Sequence, residues 1–226
     1  NMSRELVNLD ELPVLNWDLF SEQHQNTPLN GHMYKVGPVE FSRGCPYSCN
    51  YCSCTALRNL TKPQKYLRRK SIDKAISDLL HFKEKYNINM FYFQDETFLS
   101  MDLQTLKDFS REYKREIGVP FYGMTHPGSV TEEKVRLLEN MGCYLMTIGI
   151  EVGNEKFRKE VLNRPVKNRT IAEAFDAFHR SDVFPSAFAM IGLPFETREL
   201  VFDTIEMFRR CRPTTYAVGI FQPFMG

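Results

Sequence analysis

Apolar residues fall along the chain in two alternating patterns. Short runs dense in β-branched and aromatic side chains read as strands: Val36–Ser42, Met90–Gln94, Phe121–Met124, Tyr144–Ile150, Pro185–Ile191 and Tyr216–Phe221. Between them, apolar positions repeat at helical spacing. Ile72, Ala75, Ile76, Leu79 and Leu80 share a face after Ser71, which is suited to cap a helix, and Leu200, Val201, Ile205 and Phe208 share one after Thr197. Six strands joined by five helical connections, each long enough for a right-handed crossover, predict an α/β fold whose parallel sheet curls toward a barrel. A protein of this kind covers its last strand with another helix, so the core is expected to occupy residues 36–226 with a further helix and a C-terminal region beyond them. Residues 1–35 hold Leu12-Pro13, Trp17, Asn26, Pro28, Asn30 and Gly31 with weak periodicity, and read as an extended lead-in packed on the barrel.

Composition narrows the partners. With 226 residues, 42% of them hydrophobic, one sizeable core can be buried. Lys plus Arg total 29 against 28 Asp plus Glu, so no global field favours nucleic acid or an anionic membrane. The basic stretch from Arg58 to Lys70 reads as a solvated loop, since few stacking aromatics accompany it. No apolar run approaches the roughly 20 residues of a membrane-spanning helix. Six cysteines, four of them between Cys45 and Cys54, do not resemble a secreted disulfide framework, and reduced thiols in a cytoplasm fit better. The five histidines are scattered without ligand spacing.

The chemistry is concentrated just after the first strand, where Cys45, Cys49 and Cys52 follow C-x3-C-x2-C spacing. Thiolates are the ligands that iron–sulfur clusters take, and Gly44 and Pro46 let the backbone turn tightly around a bulky inorganic core. Three ligands leave one iron of a cubane open, as a reactive metal centre requires. A structural zinc site using Cys54 as a fourth thiolate is the rival, but no second C-x2-C or H-x3-H pair is present. Cys54, Cys143 and Cys211 read as small buried residues.

The loop, with Tyr51 in the aromatic slot of C-x3-C-x-aromatic-C, resembles the signature of the radical S-adenosylmethionine (SAM) superfamily, and the resemblance extends from about residue 36 to 226. It implies a partial (β/α)6 barrel of the radical SAM type, with a 4Fe-4S cluster and SAM at the C-terminal ends of the strands. That is where parallel α/β sheets place their ligands in general. Phe93-Gln94-Asp95-Glu96 occupies the position of the family's G-G-E segment, which holds the SAM amino group; its two glycines are absent, and Asp95 and Glu96 are both candidates, with capping of the next helix as their alternative role. Glu151 resembles the residue that accepts from the SAM ribose hydroxyls. Arg164 resembles an arginine that pairs with the SAM carboxylate, a role for which Arg158 and Arg169 compete, and a surface ion pair is the plainer alternative. The segment around Gly192 partly matches the family's G-x-I-x-G-x-x-E motif near the adenine, with Glu196 expected to brace that loop or cap its helix. Val218–Phe221 could offer backbone edges to the adenine.

Within the superfamily, the look is that of the cobalamin-binding branch. Leu9-Asp10-Glu11-Leu12-Pro13, Asp95-Glu96, and Ile148-Gly149-Ile150-Glu151 followed by Gly192-Leu193-Pro194 carry the likeness. In that branch a cobalamin-binding domain precedes the barrel, which makes residues 1–35 its expected linker. The implied reaction is reductive SAM cleavage, giving a 5′-deoxyadenosyl radical that takes hydrogen from an unactivated carbon, with cobalamin-dependent methyl transfer as the added step. The alternatives are a cobalamin-independent enzyme of methylthiotransferase-like or ring-forming type, or a zinc- or cluster-stabilised binding module. The implied partners are a small-molecule or peptide substrate and an electron donor such as flavodoxin or ferredoxin.

Overall fold

The computed structural model describes residues 6–223. The first five residues of the expected lead-in and Phe224 to Gly226 lie outside the described residues. In chain order the strands are β1 (Asn26–Leu29), β2 (His32–Val39), β3 (Ser42–Arg43), β4 (Arg68–Arg69), β5 (Met90–Phe93), β6 (Phe121–Thr125), β7 (Cys143–Glu151), β8 (Phe184–Ile191) and β9 (Thr215–Ile220). The helices are α1 (Ser53–Leu60), α2 (Ile72–Tyr86), α3 (Leu103–Glu112), α4 (Glu132–Met141), α5 (Glu155–Glu160), α6 (Asn168–His179) and α7 (Arg198–Cys211). One sheet runs β1-β2-β5-β6-β7-β8-β9, parallel throughout except for the antiparallel pair β1 and β2. The six parallel strands and their five helical crossovers form the curled half-barrel that the hydrophobic pattern predicts. No helix among the described residues is long and apolar enough to cross a membrane.

Two local expectations need correction. The first strand ends at Val39, three residues early, because Ser42–Arg43 leaves the main sheet to pair with Arg68–Arg69. The lead-in also contains a strand. Asn30 and Gly31 both have positive φ, 49° and 79°, the geometry of a two-residue hairpin turn that lays β1 antiparallel on β2. The lead-in's other described residues include short 3-10 turns at Leu9–Glu11, Trp17–Leu19 and Glu22–Gln25, the first two tied to α2 or its cap. The Trp17 amide donates to the Tyr86 hydroxyl, Lys85 pairs with Asp18, and the Ser71 amide donates to Asp10.

Helix α2 buries Ala75, Ile76 and Leu79 as the spacing predicts, and Ser71 caps it by accepting from the Lys74 amide. Thr197 caps α7 in the same way through the Leu200 amide. The buried stripe of α7 is rotated from the predicted face, however. Thr204, Met207 and Cys211 point inward and Ile205 is half exposed, because the Thr204 hydroxyl accepts from the Gly153 amide and fixes the helix at the end of β7.

Side-chain alternation along β7 separates core from site. Met146, Ile148 and Ile150 are fully buried in the hydrophobic core between sheet and helices. Thr147, Gly149 and Glu151 point the other way, into a cavity on the inner side of the sheet.

Candidate active site

The loop that carries the three cysteines is fixed from three directions. Gly44, at φ 102°, lets the chain turn where a Cβ would stand 2.7 Å from the Tyr66 carbonyl oxygen. Arg58, the first residue of the expected solvated basic stretch, instead donates to the Pro46 and Tyr47 carbonyls and to the Ser48 hydroxyl, clamping the residues between Cys45 and Cys49. On the opposite flank, the Asn50 amide donates to the Leu162 carbonyl and the Asn163 side chain donates to the Ser48 carbonyl, which ties the loop to the connection after α5. Cys52 stands at the N-cap position of α1.

These thiols open onto a cavity of about 300 Å³. Its lining unites Cys45, Cys49 and Cys52 with Tyr51, Glu96, Glu151 and Arg164 from the sequence-nominated set. Arg164 is buried, its Nη1 3.7 Å from Cys49 Sγ and its Nη2 donating to the Gly149 carbonyl at 2.8 Å, so a fixed cation lies beside a thiol. Glu151 ends β7 at φ 64°, a left-handed conformation that costs a non-glycine residue about 1–3 kcal/mol and is typical of sites rather than of packing. Its carboxylate folds back over Gly149, where a Cβ would lie 2.3 Å from Oε1. Tyr51 lies beside Glu151, whose Oε2 is buried without a partner. Burial pushes the Glu151 carboxyl up against the opposing pull of Arg164 and Tyr51.

The two neighbouring acids separate. Glu96 faces the cavity, and its Oε2 accepts from the Gly44 amide at 3.0 Å. Asp95 is fully buried and turned away: its oxygens accept from the Phe41 and Ser42 amides and the Ser42 hydroxyl, securing the start of the cysteine loop. Burial raises the Asp95 carboxyl to about 6. Gly192 has φ 81° at the end of β8 and lies outside the cavity lining; its amide and that of Leu193 donate to Glu196, which braces the loop as expected. Arg158 and Arg169 have other duties. Arg158 is fully buried among backbone carbonyls, and Arg169 is exposed and paired with Glu173.

Sequence reasoning set Cys54 aside as a small buried residue and did not single out His126. Cys54 is buried, and it also lines the cavity beside the three motif cysteines. His126, just past β6, stacks on Tyr47 with ring centroids 3.6 Å apart and accepts from the Gly128 amide through Nδ1. Its position directly after a strand end was the available signal. The Tyr47–His126 pair also lines an adjoining depression of about 700 Å³, which shares Cys49 and Arg164 with the cavity. Burial, reinforced by Arg164 and Arg158, pushes the His126 ring down to about 3. Between that value and the ordinary 6.5, unfolding takes up a proton, so this contribution to stability is full above about pH 6.5 and declines as pH falls toward 3. His126→Asn, which keeps an acceptor for Gly128, is expected to flatten the fall of melting temperature between pH 6.5 and 4.

Among the described residues, no three Cys, His, Asp or Glu side chains converge on a single-ion site. The donor set fits a cluster with a bound organic partner: three thiols on one loop, an adjacent cation, and a buried carboxylate oxygen still free to accept.

Comparison with known proteins gives the same result. The family model of the radical SAM superfamily matches residues 39–208. The cytidylyl-2-hydroxyethylphosphonate methyltransferase of Streptomyces wedmorensis is 27% identical over 164 residues, covering 71% of this chain and 29% of that protein. An uncharacterized methyltransferase of Pyrococcus horikoshii is 25% identical over 227 residues, covering 98% of this chain and 46% of its own length. The chain therefore spans less than half the length of these curated relatives. Among solved structures, the radical SAM methyltransferase TsrM from Kitasatospora setae, with cobalamin and a [4Fe-4S] cluster bound, superimposes with a TM-score of 0.69 at 15% identity, over 83% of this chain and 37% of that one. A half-barrel with its cysteine loop at the strand ends and a family match over most of its length establish that this chain belongs to the radical SAM superfamily.

Proposed function

We propose that this chain is the SAM-cleaving core of a radical SAM enzyme of the cobalamin-dependent methyltransferase branch, with Cys45, Cys49 and Cys52 holding a 4Fe-4S cluster. The observation that carries the proposal is the cavity in which these thiols meet Arg164 and the unpartnered oxygen of Glu151. When bound, the cluster supplies one electron for reductive cleavage of SAM to a 5′-deoxyadenosyl radical. The protein's part is to bind, orient and exclude water. Glu151 Oε2 accepts from the SAM ribose hydroxyls, Arg164 offers its charge to the SAM carboxylate, and Glu96 receives the ammonium. Met124 and Phe188 add apolar wall to the cavity. The adjoining depression offers room for a small-molecule or peptide substrate.

In this reading residues 1–35 lead from a cobalamin-binding domain, in keeping with the greater length of the methyltransferase relatives. The electron comes from a low-potential donor such as flavodoxin or ferredoxin, in a cytoplasm that keeps the six free cysteines reduced.

The opposite orientations of Asp95 and Glu96 separate their roles experimentally. Asp95→Ala is expected to cost about 2 kcal/mol or more in stability, roughly 4–8 °C in melting temperature, through the orphaned Phe41 and Ser42 amides. Glu96→Gln should lower SAM affinity about tenfold, the loss of one charge-assisted contact, with little change in melting temperature. Calorimetric titration with SAM and thermal melts check both.

Metal analysis after anaerobic reconstitution tests the proposal as a whole. Uptake of about four irons and four sulfides per chain supports it. About one zinc with neither iron nor sulfide would replace it with a structural metal site.

A further inference from the structure

The depression beside the cavity has a one-sided chemistry. Arg164 and Lys167 line it together with Ser48, His126, Asn163 and Thr170, and no aspartate or glutamate does. Lys167 is exposed, and its ammonium has no partner among the described residues. It stands at the N-cap position of α6, a helix of 12 residues, where its side chain caps nothing. The Asn168 amide donates to Glu155, whereas the next two amides, of Arg169 and Thr170, have no acceptor among the described residues. Free amides at the positive end of a helix dipole stabilise an anion.

The buried His126, only 8% exposed, brings a free donor to the same depression. Its ring is fixed by the stack on Tyr47 and by the Gly128 amide, which donates to Nδ1 at 3.0 Å. A nitrogen that accepts carries no proton, so the ring is neutral with its proton on Nε2, and Nε2–H has no acceptor among the described residues. Helix α6 packs against the turn Pro127–Ser129 that this histidine caps.

We infer that the depression is the subsite for an oxyanion of the substrate, a carboxylate or phosphoryl group, with Lys167 and the first-turn amides of α6 binding its charge and His126 Nε2–H fixing one of its oxygens. This rests on the reading of the neighbouring cavity as the SAM site. Tyr47, Cys49, His126 and Arg164 line both spaces, so a substrate held by its anionic end extends from the depression toward the cysteine loop. His126 is thereby a specificity-determining residue: a fixed neutral donor selects an acceptor oxygen and rejects an ammonium or amide N–H at that point.

The test is nuclear magnetic resonance titration of the reconstituted protein with methylphosphonate and with acetate, each with and without SAM, and with acetamide and methylammonium as uncharged and cationic counterparts. At least one of the two anions is expected to saturate at millimolar concentration in the presence of SAM, and the tighter of them assigns the group as phosphoryl or carboxylate. Acetamide and methylammonium should not bind. Lys167→Met, a surface change that should keep the wild-type melting temperature, and His126→Phe, which keeps a ring to stack on Tyr47, should each weaken the anion about tenfold through loss of one charge-assisted contact. Arg169→Met removes a neighbouring surface charge outside the lining and should change the affinity by less than about twofold. Failure of both anions to bind would overturn the inference. So would wild-type affinity in Lys167→Met or in folded His126→Phe, the mark of adventitious surface binding, and so would loss of the anion on adding SAM, which would give the site to the SAM carboxylate. Protein that takes up no iron and sulfide refutes the cluster assignment, a separate failure, and the anion titration still reads the depression in that protein.

Discussion

Cys49→Ala is expected to lose most of its cluster iron and to form no 5′-deoxyadenosine above background. Cys49 is the most buried of the three motif thiols, and Arg164 Nη1 lies 3.7 Å from its sulfur. Altering partners of metal ligands already costs about 10–100-fold in metal affinity, so removing the ligand and stranding Arg164 beside the gap should cost roughly a hundredfold or more. The Cys143→Ala control shows that the effect belongs to the loop. Cys143 is buried in the core outside the cavity lining, its thiol donating to the Leu145 carbonyl, so its loss should lower stability modestly while leaving iron content unchanged. Iron quantification and the ultraviolet–visible spectrum of the reconstituted proteins provide the comparison.

The largest effect on stability is expected from Arg158→Met. The fully buried Arg158 guanidinium donates to the Val152 carbonyl at 2.5 Å, to the Val166 carbonyl from both Nε and Nη2, and to Asn168 Oδ1 at 2.6 Å. These bonds fasten the connection between α5 and α6 to the end of β7. Methionine fills the space without donating, and leaves two backbone carbonyls buried and unpaired at about 1–3 kcal/mol each. A loss of about 3 kcal/mol, or roughly 6–12 °C in melting temperature, follows. Arg164 lies within that connection, and its own amide donates to the Arg158 carbonyl. The variant should therefore also bind SAM more weakly at temperatures where it remains folded. Arg169→Met, which removes an exposed pair with Glu173, should change stability by less than about 1 kcal/mol.

Repeating patterns in the sequence made much of this architecture legible. The six strands were visible because each carries a dense apolar run between turn residues, and the alternation in Thr147-Ile148-Gly149-Ile150-Glu151 already sorts core from cavity. Strand β1 was not visible by that route, since Asn26-Thr27-Pro28-Leu29 has little apolar alternation; the Asn30-Gly31 turn was the better guide to it. Asp95 and Glu96 show a second limit. Adjacent residues at a strand end diverge, but only the surrounding backbone, here the Phe41 and Ser42 amides, determines which carboxylate turns inward. Arg158, Arg164 and Arg169 are equivalent by residue type; burial sets Arg169 apart, and only their partners separate Arg158, held by backbone carbonyls, from Arg164 beside Cys49. Cys54 faces the cavity because α1 begins directly after Cys52, whereas His126 reaches it by stacking on Tyr47, a contact across a large sequence separation.

The central claim is that Cys45, Cys49 and Cys52 hold a cluster that cleaves SAM bound by Glu151 and Arg164. Its most direct test is anaerobic incubation of the iron-loaded protein with SAM and dithionite, with products separated by chromatography. The account predicts 5′-deoxyadenosine and methionine from wild type, and at least about tenfold less at limiting SAM from Glu151→Ala with unchanged iron content, as expected from loss of a buried charged acceptor. Wild type with a full complement of iron and sulfide that forms no 5′-deoxyadenosine above the protein-free control would contradict it.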